Sequence, residues 1–272
     1  RQTITLGSRT SENSFSQTME LEIATDRRDA GRLTVNYRPT RLQVESVRDG
    51  ERFSFDSSRP IEPALAEGDS PAAASNRLFA AFAESPWRIV VDDDLQVLEF
   101  LGRDELLDRL DPAVAESLRP QFEPEYLKRQ AEVELRPFPD RALRVGDRWR
   151  RERDLILEAG MRLKLTEECR YLGVRSIAGS DRHRVELKCV EASLEAEDSA
   201  QGEAADDAPK LEYGPLRVSE SRGELTFDER RGVIESLERR IELSGPLSVS
   251  IGPRTIDGRI ELILEERQQR RE

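Results

Sequence analysis

Along most of this chain every second residue is apolar, the pattern of β-strands with one buried face and one wet face. Phe15, Met19, Leu21 and Ile23 alternate with polar residues, and Leu33, Val35 and Tyr37 do so beyond the turn-like Asp29-Ala30-Gly31. Pro39 cannot donate a ladder hydrogen bond, so it predicts a bulge or break before Leu42, Val44 and Val47 resume. Asp49-Gly50 predicts a tight hairpin leading to Phe53 and Phe55. From Trp149 the alternation returns and lengthens. Met161, Leu163, Leu165, Cys169 and Tyr171 share one face, and Val185, Leu187 and Cys189 share another across a turn over 176–181. Further strands are predicted over 216–218, 225–227, 233–243, 247–251 and 256–264.

The middle of the chain reads differently. Leu78, Phe79 and Phe82 lie at helical spacing within 76–84, and short helices are predicted over 104–110, 112–118 and 124–130. Each of those three begins with an acidic or prolyl residue that suits a first turn. Two short strands, 89–91 and 95–98, flank Asp92-Asp93-Asp94. Residues 61–75 read as a linker or loop, and the acidic 195–208 as a mobile loop with nothing to bury against the entropy of ordering. The fold class that follows is mainly β (α+β): long curved antiparallel sheets or an incomplete barrel, with a few short helices in the middle. Two halves are expected, 1–130 and 131–272. ERFSFDS at 51–57 echoes GELTFDE at 223–229, so the halves are a divergent repeat or one continuous fold with convergent strand patterning.

Composition narrows the partners. The net charge of -12 argues against nucleic acid, which needs a clustered basic face, and against a polybasic grip on anionic lipid. Lys128, Lys164, Lys188 and Lys210 are the only lysines, so the rest of the positive charge is arginine. Arg/Glu pairs interleaved on strand faces are one reading of that bias, and a GC-rich genome is the other. No stretch approaches the roughly 20 apolar residues of a membrane helix. The chain opens at Arg1 without an initiator methionine, which suits a cleaved export signal; a chain cut short at its start looks the same.

Candidate chemistry is sparse. His183 is the only histidine and lies in phase with Val185 and Leu187, as a partly buried strand residue does. No Gly-x-Ser-x-Gly elbow or phosphate loop accompanies it, and two cysteines with one histidine make no recognised metal site. Asp92 to Asp94 lack calcium-loop spacing and read as an acidic turn. If the chain turns near Gly179, Cys169 and Cys189 face each other and form a disulfide candidate; two buried free thiols are the alternative.

PDRALRVGDRW at 139–149, GELTFDERRGVIE at 223–235 and Phe55-Asp56-Ser57 carry a resemblance. With the 89–102 stretch, they resemble a domain-of-unknown-function family of exported bacterial proteins, over a span from about Met19 to the last strand. The resemblance implies export and a β-rich fold, and carries no catalytic residue. Physically, Gly146-Asp147 predicts a turn that aims Trp149 onto the sheet, and 228–232 a hairpin in which Gly232 takes a positive φ.

These readings converge on a non-catalytic exported protein of the bacterial envelope, without cofactor. One function is a binding module for an apolar or lipid-like ligand, its cavity lined by Leu78, Phe79, Phe82, Met161, Leu163, Leu165 and Tyr171; those residues packing helix on sheet is the plainer outcome. The alternative is an interaction or scaffold subunit that docks on an envelope or secreted partner by strand addition. An enzyme, such as a metal-independent hydrolase using paired carboxylates, is the third and weakest reading.

Overall fold

The protein is described by a computed structural model that covers residues 1–28, 31–60, 70–157, 161–177, 180–196 and 210–270. The expected turn at Asp29-Ala30, most of the 61–75 loop, the tip near Gly179 and nearly all of 195–208 lie outside the described residues. The fold is mainly β, with thirteen described strands, antiparallel pairing and no closure into a barrel. Two compact units divide the chain: Arg1–Glu12 with Pro137–Glu272, and Asn13–Arg136. The border expected at 130/131 thus falls at 136/137, and the first twelve residues go with the C-terminal part.

In that larger unit, β1 (Gln2–Leu6), β7 (Arg148–Ile156), β8 (Met161–Ile177), β9 (Ser180–Ala196), β11 (Arg217–Asp228), β12 (Val233–Ile251) and β13 (Arg254–Gln269) form the order β1-β13-β12-β11-β9-β8-β7. The short β10 (Lys210–Tyr213) pairs with β12. The sheet rolls inward, because Met161, Leu163 and Leu165 of β8 share one apolar cluster with Ile260 and Leu262 of β13, although three strands lie between them in the sheet order. A second cluster holds Cys169, Tyr171, Val185, Leu187, Leu225 and Leu237, with Trp149 and Phe138 against it. The alternation predicted on β8 holds from Met161 to Tyr171. On β9 it changes phase from Leu187 and Cys189 to Ala192 and Leu194, because a bulge leaves Val190 between the ladders.

Between the two clusters runs a band of buried charge. Glu167 is 1% exposed and accepts from Arg151 Nε at 2.9 Å and Arg239 Nη1 at 2.9 Å. Arg239 also pairs with Glu266, which Arg153 approaches to 3.5 Å. Gly223 makes room for it: it stands between Leu187 and Arg239 in the ladder, and a Cβ there would lie 2.9 Å from Arg239 Cβ and 3.1 Å from the Glu238 carbonyl. On the outer face the expected cross-strand charge pairs are present, among them Arg148–Glu168, Arg170–Glu186 and Arg267–Glu238. Exposed pairs of this kind contribute about 0–1 kcal/mol each, so they serve register and solubility more than stability.

The hairpin and turn expectations hold in detail. Asp49 and Gly50 both take positive φ, as a two-residue hairpin of that hand requires. The break at Pro39 is a bulge, since Glu20 pairs Arg41 while Leu21 pairs Pro39. Gly146 takes φ +94° and its N–H donates to the Tyr171 carbonyl at 2.8 Å, which turns Trp149 into the second cluster. Gly232 takes φ +66° and donates to the Asp228 carbonyl. Pro246 does not break β12, which runs through the gap expected between 243 and 247.

The smaller unit pairs β2 (Arg9–Arg28), whose later residues belong here, with β3 (Arg32–Arg48). The other edge of β3 is shared: its first half takes β5 (Trp87–Val91), with β6 (Val97–Leu101) beyond, and its second half takes β4 (Glu51–Asp56). Four helices pack here: α1 (Pro71–Glu84), α2 (Arg103–Leu107), α3 (Pro112–Leu118) and α4 (Pro124–Leu135). Helix α1 starts five residues earlier than its apolar spacing predicted, because Ser70 Oγ accepts from the Ala73 N–H and Pro71 suits the first turn. The two echoing segments hold different places, β4 on part of one edge of β3 and β11 between β9 and β12. What they share is local chemistry: Asp56 and Asp228 each end a strand, accept a backbone N–H from the following turn and pair with an arginine.

The two cysteines do not meet as expected. Both are buried free thiols. The observed register sets Cys169 opposite Leu187 and Cys189 opposite Glu167, two residues off the pairing a turn centred on Gly179 implies. Such diagonal neighbours lie about 7–8 Å apart, beyond the roughly 4.4–6.8 Å Cα separation of a disulfide. Burial pushes both thiols up to about 11. A thiol titration at pH 8 is therefore expected to find no fast-reacting sulfhydryl in the native protein and two after unfolding in guanidinium. Fewer than two after unfolding means that the register has slipped and the bond has formed.

Candidate functional site

The seven residues expected to line a cavity fall into separate apolar clusters, each within one unit. Met161, Leu163 and Leu165 are 7%, 0% and 2% exposed and are packed against Leu243, Ile260 and Leu262, so they have almost no surface to offer a ligand. Tyr171 belongs to the other cluster of the same unit. In the smaller unit Phe79 packs in tilted contact with Phe53 and Phe55 at 5.8 and 5.9 Å, Phe82 meets Phe122 at 5.8 Å, and Leu78 packs on Ala81, Leu106 and Leu110. These side chains join helix to sheet and helix to helix.

His183 is held at both ring nitrogens. Its Nδ1 lies 2.7 Å from the Tyr171 hydroxyl and its Nε2 3.0 Å from Glu229 Oε2. A neutral ring that accepts from tyrosine and donates to glutamate satisfies every partner, and Phe138 closes one side edge-on at 5.9 Å. Burial, then the Glu229 charge, raises the Tyr171 phenol above its ordinary value. The arrangement orders the end of the sheet and leaves no ring nitrogen for a substrate. Asp92 likewise spends one carboxylate oxygen on its own turn, accepting from the Asp94 and Gln96 N–H groups.

A cleft in the smaller unit has a different character. It has a volume of about 440 Å³ where the interior of β3, the start of β5 and the turn after β6 meet α2. Tyr37 and Trp87, cross-strand partners on β3 and β5, stack there with ring centroids 5.3 Å apart and planes 6° from parallel. Burial, then the Glu134 charge, pushes the Tyr37 phenol up to about 12, so it stays protonated. Gly102 closes the wall: it takes φ +103°, and a Cβ there would lie 2.6 Å from the Pro86 carbonyl and 3.0 Å from Trp87 Cα. No other residue permits the β6–α2 turn to approach β5 so closely.

Ser85, the residue after α1, is part of this wall. It is 6% exposed, and its hydroxyl is buried without a hydrogen-bond partner. An unpaired buried hydroxyl costs about 1–3 kcal/mol, so its persistence at the edge of a cleft is itself informative. Arg38, Arg88 and Arg109 line the cleft with Glu105. Arg38 makes only a loose, exposed contact with Glu22 at 3.8 Å, and Arg109 donates to the Glu84 carbonyl at 3.2 Å. Arg88 has no ion-pair partner among the described residues.

Sequence reasoning did not assemble this cleft. Tyr37 and Trp87 are fifty positions apart and carry no joint signal until β3 pairs with β5. Ser85-Pro86 reads locally as a helix stop, and Gly102 as an ordinary punctuation mark. No described helix is long and apolar enough to cross a membrane. Comparison with protein-family models, with curated proteins and with solved structures finds no match to this chain.

Proposed function

We propose that this protein is a non-catalytic binding module for a small molecule with an apolar face, and that the Tyr37–Trp87 cleft is where the ligand sits. The observation that carries this reading is the stacked Tyr37–Trp87 pair in the wall of a cleft of small-molecule size. An aromatic pair gives area and orientation. The interior of the larger unit is a poorer candidate, because its apolar residues are already packed against one another. The resemblance to exported bacterial proteins makes the envelope the proposed place of work.

The scaffold reading has one feature in its favour: no described strand pairs with the outer edge of β6 or with that of the longer β7. β7 is RWRRERDLI, and its Arg151 and Arg153 turn inward to Glu167 and Glu266. Charge on and behind an edge is a device against strand addition, so binding in the cleft ranks first. Native mass spectrometry of protein purified from its own host is expected to detect an adduct of a few hundred daltons on the wild type. Substituting Trp87→Phe and Ser85→Ala together should reduce its occupancy. A clean apo mass from host extract overturns the binding reading, as does an adduct that both substitutions leave untouched.

A further inference from the structure

The open strand edges of the sheet are not alike. That of β7 is backed by Arg151 and Arg153. That of β6 is five residues long, and its Val97 N–H donates to Glu132 Oε1 of α4 at 3.3 Å. Strand β2 carries no such guard. On the side away from β3 its one described neighbour is β1, which the Thr5–Thr10 hydroxyl contact and the Arg1–Glu12 pair place beside its start. From Ser14 onward β2 pairs with β3 alone among the described strands. Between Ser14 and Asp26 it holds no glycine, proline or basic residue, and its three charges, Glu20, Glu22 and Asp26, alternate to the face opposite Leu21 and Ile23. Leu21 and Ile23 are 37% and 41% exposed. A long edge of this kind, with apolar side chains beside it and no charge behind it, is a template for another strand.

We infer that two copies of this chain pair along the open edge of β2, antiparallel about a two-fold axis through Glu22. In that register Leu21 faces the partner's Ile23, Met19 the partner's Thr25, Glu20 the partner's Ala24 and Thr18 the partner's Asp26, and symmetry repeats each pair. The self-match is what selects a second copy as the occupant. The neighbouring two-fold registers set Glu20 against the partner's Glu22 or against its Asp26, twice each. This one leaves a single like-charge contact, Glu22 on Glu22, and Arg38 stands 3.8 Å from Glu22 in each copy to offset it. Asp26 already accepts from Asn36 Nδ2 at 2.9 Å, so it meets the partner's threonine with its charge engaged. None of the paired residues lines the Tyr37–Trp87 cleft, and the inference stands apart from the ligand reading.

Sedimentation equilibrium of the full chain from about 1 to 100 μM, the range suited to a small interface, is expected to show monomer and dimer in exchange. Ile23→Lys should weaken the dimer about tenfold or more, because it sets a charge at the seam. Ile23 is half-exposed in the single chain, so the variant should fold as the wild type does. Leu98→Lys, at an exposed position of β6, should leave the dimer unchanged. Glu22→Gln should tighten it about twofold to fivefold by removing the facing charges. Glu22→Cys should give a covalent dimer on oxidation with diamide, because residues opposite each other in a ladder lie about 4.5–5.5 Å apart at Cα, within disulfide reach. The two native thiols are buried and do not compete. A monomer at about 100 μM, a dimer that Ile23→Lys leaves intact or that Leu98→Lys dissolves, a dimer loosened by Glu22→Gln, or a dimeric Glu22→Cys protein that does not cross-link overturns the inference.

Discussion

Glu167→Ala is expected to cost about 3–5 kcal/mol of folding free energy, read by urea unfolding. The reason is what it leaves behind. Glu167 accepts from Arg151 and Arg239 in the band between the two apolar clusters, and without it Arg239 retains only Glu266. Stranding buried guanidinium charge is far more costly than losing an exposed pair, which is worth about 0–1 kcal/mol. The intact network need not be strongly stabilising in itself, because desolvating five charged groups offsets most of their attraction. Hence a second expectation separates the two effects: Glu167→Met with Arg239→Met should recover much of the loss of the single change. A single substitution costing under about 1 kcal/mol would mean that water reaches the band, and that the charges are solvated rather than mutually satisfied.

Gly223→Ala is the second large effect, about 2–3 kcal/mol destabilising in the same assay, from overpacking and its spread into the charge band. Its sign is the test. In an exposed strand the same change stabilises slightly, because alanine restricts the unfolded chain and glycine suits strands poorly. At Gly223 the new methyl would meet Arg239 Cβ at 2.9 Å, the Glu238 carbonyl at 3.1 Å and Leu187 Cβ at 3.2 Å, two side-chain stems and a backbone oxygen that cannot swing away. Every residue except glycine carries a Cβ at 239, so no ordinary substitution there relieves the contact. A neutral or stabilising outcome would show that β11 lies farther from its neighbours than the ladder registers imply.

These two positions illustrate how much of the fold was legible. Gly223 opens the GELTFDE segment, visible as an echo of ERFSFDS, yet the echo reflects shared strand-end chemistry around Asp228 and Asp56 and not a shared place in a sheet. Glu167 interrupts the apolar row from Met161 to Tyr171 and looks from sequence like a solvated exception. It is buried because Arg151 and Arg153 of β7 and Arg239 of β12 reach or flank it once the sheet rolls. The cysteine pairing failed for a similar reason. Counting from a turn assumes a regular ladder centred on Gly179, whereas the ladder closes at Ile177 opposite Ser180, one residue short of that centre, and the irregularity near Gly173 shifts the partners by one more.

By itself, the order of apolar and polar residues determined that the chain makes long antiparallel strands, where the Asp49-Gly50, Gly146 and Gly232 turns fall, and that short helices interrupt the first half. Those features depend on neighbours a few positions apart, where backbone sterics and side-chain alternation act directly. Which strands meet, which side of the rolled sheet holds charge, and that Tyr37, Ser85, Trp87 and Gly102 share a cleft were decided only by tertiary structure. Contacts across fifty or more residues depend on register, and one bulge resets every pairing beyond it.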